Sequence, residues 1–182
     1  MLNLRAIRSR IISKILKNGS INNMENLDNV IIHAARLGNV DVLKELVARN
    51  TDVNARDEKG YTPLIIACYN NQFEAAKYLL ESGADVNAQD YGGNTALMGV
   101  SFKGYKHIAE LLIQNGADLD LQHGNGGTAL MFAAMFGRNE LVKLLIDSGA
   151  DISILDTRGL SVFDLAAQQG NEAAIEILEQ VR

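Results

Sequence analysis

YTPLIIACYNNQFEAAKYLLESGADVNAQD, residues 61–90, returns twice further along the chain. NTALMGVSFKGYKHIAELLIQNGADLDLQH (94–123) and GTALMFAAMFGRNELVKLLIDSGADISILD (127–156) follow at a constant offset of 33 residues. LSVFDLAAQQGNEAAIEIL (160–178) is a fourth copy without its tail, and NVIIHAARLGNVDVLKELVARNTDVNARD (29–57) is a degenerate first copy. Five units in one register predict an array in which each unit buries its apolar face against the next.

Each unit reads as helix, turn, helix. Thr62, Thr95, Thr128 and Ser161 are hydroxyl residues able to cap the unpaired N–H groups of a helix, and Pro63 stands at the first helical position, where its missing donor costs nothing. The first helix is expected to end at Gly38, Asn71, Gly104, Gly137 and Gly170, residues that tolerate a left-handed backbone. A second helix then runs to Asn50, Gly83, Gly116 and Gly149, with Leu79 and Leu80, Leu111 and Leu112, and Leu144 and Leu145 in its apolar stripe. Helices of two to three turns do not persist alone in water, so stacking must hold them.

The 33-residue period, the T-P-L and T-A-L starts and the G-A-D-V-N, G-A-D-L-D and G-A-D-I-S tails closely resemble the ankyrin repeat over residues 24–182. The resemblance implies an all-α solenoid of about five helix-turn-helix units joined by β-turn fingers. The units fall at about 24–57, 58–90, 91–123, 124–156 and 157–182, after a basic segment, 1–23. Where the family pattern T-P-L-H has histidine, this chain has Ile65, Met98, Met131 and Asp164, so the usual hydrogen bond from that histidine is expected to be lost. The last unit has Glu179 and Gln180 where earlier units have Val47, Leu80, Ile113 and Ile146, then Ala48, Glu81, Gln114 and Asp147. A terminal helix facing water, closing the array, is therefore expected.

HGNGGTAL, 123–130, looks like a chemical loop, but Gly126 shares its repeat position with Gly60, Gly93 and Gly159, and Thr128 opens the next helix. The stretch reads as the bend at a finger tip. It has no lysine for a phosphate-binding loop, and the chain has no G-x-S-x-G elbow. His123 replaces Asp57, Asp90 and Asp156, which in the family help tie adjacent fingers, so that junction is expected to be looser or pH-sensitive. His33, His107 and His123 occupy three different repeat positions and form no ligand spacing, and the aspartates lack the D-x-D-x-D-G pattern of a calcium loop. Cys68 takes the place of Ala35 and Ala134 and reads as a buried, inert thiol. No catalytic, cofactor or metal site is expected, nor a small-molecule substrate.

The formal charge is −5, from 17 Lys and Arg against 22 Asp and Glu. Residues 1–23 carry Arg5, Arg8, Arg10, Lys14 and Lys17 and no acid, which leaves 12 bases (17 − 5) against 22 acids, or −10, in 24–182. Such a body repels phosphate backbones, which excludes general nucleic-acid binding by the repeats. No apolar run reaches the roughly 18 residues that span a bilayer, no secretory h-region is present, and one cysteine allows no internal disulfide. A cytoplasmic monomer is the expectation. In 1–23, Leu4, Ile7, Ile11 and Ile15 follow helical spacing with the bases largely elsewhere, which predicts a basic amphipathic helix. It reads either as a cover for the first unit's apolar face or as a weak membrane contact, a partner-docking helix or a targeting segment.

What the resemblance implies about function is recognition of a partner protein through the finger tips and the concave face of the first helices. The family's variable positions fall here at 58, 59, 61, 69 and 70 and at their equivalents in the later units. Tyr61, Tyr69, Tyr91, Phe102 and Phe136 all lie on them, with Met135 beside Phe136 and with Lys59, Lys103 and Arg158 among them. Aromatic anchors aligned on neighbouring units are what interfaces concentrate, so these nine residues are the candidate binding set, suited to an acidic partner. The alternative is a membrane-tethered adaptor that holds anionic lipid with 1–23.

Overall fold

The computed structural model describes residues 24–181, and among these it forms ten helices and no strand. They come in pairs: α1 (Met24–Arg36) and α2 (Val40–Ala48), α3 (Pro63–Tyr69) and α4 (Phe73–Glu81), α5 (Ala96–Lys103) and α6 (Lys106–Gln114), α7 (Ala129–Met135) and α8 (Asn139–Asp147), α9 (Val162–Gln168) and α10 (Glu172–Glu179). The amphipathic helix expected in 1–23 lies outside the described residues.

The starts and stops follow the residues read for them. Thr62, Thr95 and Thr128 each accept a hydrogen bond from the backbone three residues on, at 3.3, 3.2 and 3.4 Å. Ser161 does the same for Asp164 at 3.2 Å. There the lost histidine is replaced by a capping box: the Asp164 carboxylate accepts from the Ser161 N–H at 2.8 Å and from its hydroxyl at 2.6 Å. Ile65, Met98 and Met131, at the same position in the other units, are buried instead. The nine predicted helix-end residues all have positive φ, including the non-glycines Asn50 (60°) and Asn71 (59°).

Two layers result. The first helices stack in the order α1, α3, α5, α7, α9, and the second helices in the order α2, α4, α6, α8, α10, each pair also packing on itself. Leu64, Leu97 and Leu130 from the first layer and Leu79, Leu112 and Leu145 from the second are fully buried between them. At about 1.5–3 kcal/mol for each leucine-sized side chain, this burial is what holds helices too short to stand alone. Leu80, Leu111 and Leu144, the outer members of each pair, are half-buried, and Glu179 and Gln180 are exposed.

Fingers link the units on the side of the first helices. Each closes on itself, as Asp90 N–H does on Asn94 O at 2.9 Å, and each bonds to the next: Tyr91 N–H to Lys59 O at 3.1 Å, Gly124 N–H to Gly92 O at 2.8 Å, Thr157 N–H to Asn125 O at 3.0 Å. Side chains reinforce the register. Gln89 and Gln122 each donate to a carbonyl of their own finger and to one of the next unit, and Arg56 does likewise.

Candidate functional site

The glycine-rich stretch is a bend. Gly126 has φ 81°, and a Cβ there would stand 2.7 Å from the Thr157 nitrogen, so the next finger's backbone requires glycine. His123 N–H donates to Gly127 O at 3.0 Å, and Gly127 N–H returns a bond to His123 Nδ1 at 2.9 Å. In Asp90 one carboxylate oxygen accepts from both Gly92 and Asn94 N–H at 2.8 Å, whereas Nδ1 has a single lone pair and takes only the second of these bonds. The imidazole keeps the finger closed and packs edge-on against Phe132, ring centroids 5.1 Å apart.

Other chemical candidates lie apart. Among the described residues no three His, Cys, Asp or Glu side chains are placed to share a metal ion. His33 is exposed, and His107 packs against Phe73. Cys68 is fully buried, and desolvation pushes its thiol pKa well above the ordinary value, so thiolate chemistry is suppressed.

The aromatic set is brought together. Tyr69 ends α3, Phe102 lies in the last turn of α5 and Phe136 follows α7. Tyr69 and Phe102 stack with centroids 6.4 Å apart and planes 3° from parallel, and Phe102 meets Phe136 edge to face at 4.5 Å. Three units thus contribute one row of rings, with Tyr69 and Phe136 exposed and Phe102 half-buried between them. The Lys103 ammonium stands over the row, 4.4 Å from the Tyr69 centroid and 5.6 Å from that of Phe102. The other candidates are more dispersed. Tyr61 and Met135 pack partly against the core, while Lys59, Arg158 and Tyr91, the last 73 % exposed, occupy finger tips. Arg158 pairs with Asp156 at 2.8 Å. The Leu160 N–H first, then Arg158, hold the Asp156 carboxyl below its ordinary pKa.

A pocket of about 470 Å³ opens beside the row, lined by Tyr61, Tyr69, Met98, Gly99, Phe102 and Phe132, among others, with Arg36 also on its wall. A second pocket of about 470 Å³ lies between the next fingers, and Phe132 lines both. Arg36, Gly99 and Phe132 were not among the sequence candidates. Arg36 shares the repeat position of Tyr69 and Phe102, so the register could have found it; Phe132 lies one turn before Phe136 on α7, at a repeat position that the family's variable set does not include.

A family model described as ankyrin repeats (three copies) matches residues 4–90 and again 92–180. The first match begins inside the segment 1–23. No curated protein matches the chain.

Proposed function

The chain belongs to the ankyrin-repeat family, and we propose that it is a non-catalytic protein-binding module of the cytoplasm, acting as an adaptor, scaffold or inhibitor of its partner. Ankyrin repeats are in general protein-interaction modules. The observation that carries the reading here is the row Tyr69, Phe102 and Phe136, which spans three units in mutual contact while its outer rings stay exposed. Rings held by one another and by Lys103 lose little freedom on binding, which is what makes aromatic anchors effective.

Affinity capture with the full chain as bait, beside the Tyr69→Ala, Phe136→Ala double variant, tests it. Truncating such anchors costs about 2 kcal/mol or more of binding, so capture should fall by roughly 30-fold or more while the melting temperature moves little. Undiminished capture by the variant places the interface elsewhere.

A second reading adds membrane contact. It is favoured by Arg5, Arg8, Arg10, Lys14 and Lys17 in a segment whose apolar residues follow helical spacing. No described helix is long and apolar enough to cross a membrane. Co-sedimentation of the full chain with phosphatidylserine-containing liposomes, lost in a 24–182 fragment, supports this reading; equal sedimentation of the two rejects it.

A further inference from the structure

One unit leaves its groove floor empty. At a single repeat position the first helices carry His33, Ile66, Gly99, Phe132 and Leu165. Ile66 and Leu165 are buried and Phe132 is half-buried, so three units fill this position with large apolar side chains. Gly99 lies within α5, where glycine costs the helix about 0.5–1 kcal/mol relative to alanine and no turn requires it. Nor does crowding: an added Cβ would stand 3.4 Å from Tyr69 Cδ2, an ordinary contact. The result is the pocket of about 470 Å³, walled largely by Tyr69, Phe102, Phe132 and Met98.

Its charged surroundings are one-sided. Arg36 lines the pocket, and its guanidinium makes no hydrogen bond or ion pair among the described residues. Among the described residues Lys103 meets the rings of Tyr69 and Phe102 and no acid. The Asp90 carboxylate also lines the pocket, but it is buried and occupied by the N–H groups of Gly92 and Asn94 and by the Asn94 amide. Glu58 and Lys59 stand side by side, both exposed, on the finger that precedes α3, so their charges offset one another. Two cations without acidic partners thus flank an apolar cavity on a body of charge −10 (12 bases against 22 acids in 24–182).

We infer that the pocket at Gly99 seats one bulky apolar side chain, aromatic or branched aliphatic, of an acidic peptide segment whose flanking carboxylates meet Arg36 and Lys103. The inference rests on the protein-binding reading and narrows it to a partner class. The volume suits one large side chain with its adjoining backbone, and charge complementarity selects the occupant. Residues 1–23, with five bases and no acid, lack the charge that Arg36 and Lys103 would select.

Panning a displayed library of random nonapeptides on the immobilised full chain tests this. The enriched pool should carry net negative charge and a Phe, Tyr, Leu or Ile flanked by Asp or Glu. A synthetic representative should bind roughly tenfold or more weakly to Gly99→Leu, which fills the pocket, and to Arg36→Glu with Lys103→Glu, which reverses its rim. Gly99→Leu should melt no earlier than the parent, because the helix loses a glycine. Arg36→Glu alone leaves the Lys103 contact with the Tyr69 and Phe102 rings in place and should weaken binding in the same direction, so it carries the charge test without disturbing the row. A net-positive pool, a pool without an apolar anchor, or no enrichment over the bare support overturns the inference. Acidic peptides that ignore Gly99→Leu but are lost in Tyr69→Ala, Phe136→Ala overturn the pocket and leave the protein-binding reading standing. Sedimentation of the full chain as a dimer that Gly99→Leu dissolves would assign the pocket to a second copy and overturn it too.

Discussion

Asn54 and Asn87 each tie two units together with one side chain. Asn54 Oδ1 accepts from Asp85 N–H at 2.8 Å while its amide donates to Gly83 O at 3.4 Å, and Asn87 repeats the pattern with Asp118 at 2.8 Å and Gly116 at 3.3 Å. Asp120 accepts from Asp151 N–H at 2.9 Å but has no amide proton for Gly149 O. Asp120→Asn should therefore stabilise the chain by about 0.5 kcal/mol, the low end for a hydrogen bond because the site is exposed. Thermal melting should rise by roughly 1–2 °C, and a fall would show that the carboxylate itself is favoured there. Three other aspartates make stability acid-sensitive. Asp151, held by Ser153, Asp156, held by Leu160 and Arg158, and Asp164, held by Ser161, all have pKa values below the ordinary one. Unfolding then takes up protons, so their contribution is complete above about pH 4, the unfolded value, and is lost as pH falls through the lower folded values. The melting temperature should drop as pH falls below about 4, less steeply in Asp156→Asn, and a flat profile would contradict these assignments.

The helices were legible because their ends are marked chemically. Thr95 caps α5 and Gly104, at φ 90°, ends it, as residue type alone led one to expect. The pocket was not legible in the same way. It arises from what Gly99 lacks relative to Ile66, Phe132 and Leu165, and a void shows only when neighbouring units are placed side by side. The capping box at Asp164 was also missed, since the family comparison drew attention to the absent histidine and not to the carboxylate's own reach. At this scale the sharpest check is Leu112, fully buried on α6. Leu112→Asp places a charge without a partner in the core at a cost of several kcal/mol, most of a typical domain's roughly 5–15. Cooperative melting should disappear, and a variant melting within a few degrees of the parent would refute the packing.

Across the whole molecule, buried leucines and fingers hold the array, while Tyr69 and Phe136 stay exposed at the ends of the first helices and the Gly99 pocket opens beside them. Register in the sequence located the candidate row, and the ring contacts then distinguished Tyr69, Phe102 and Phe136 from Tyr61 and Met135, which pack partly on the core. Periodicity alone could not make that separation, because a variable repeat position can point to solvent or lean on its neighbour. The central claim is that partners dock on the aromatic side. A photo-crosslinking phenylalanine analogue at Tyr69 or Phe136 should trap captured partner, whereas the same analogue at Lys77 or Lys143, exposed on the second helices, should not. Crosslinking from the second-helix positions with none from the aromatic row would contradict the account.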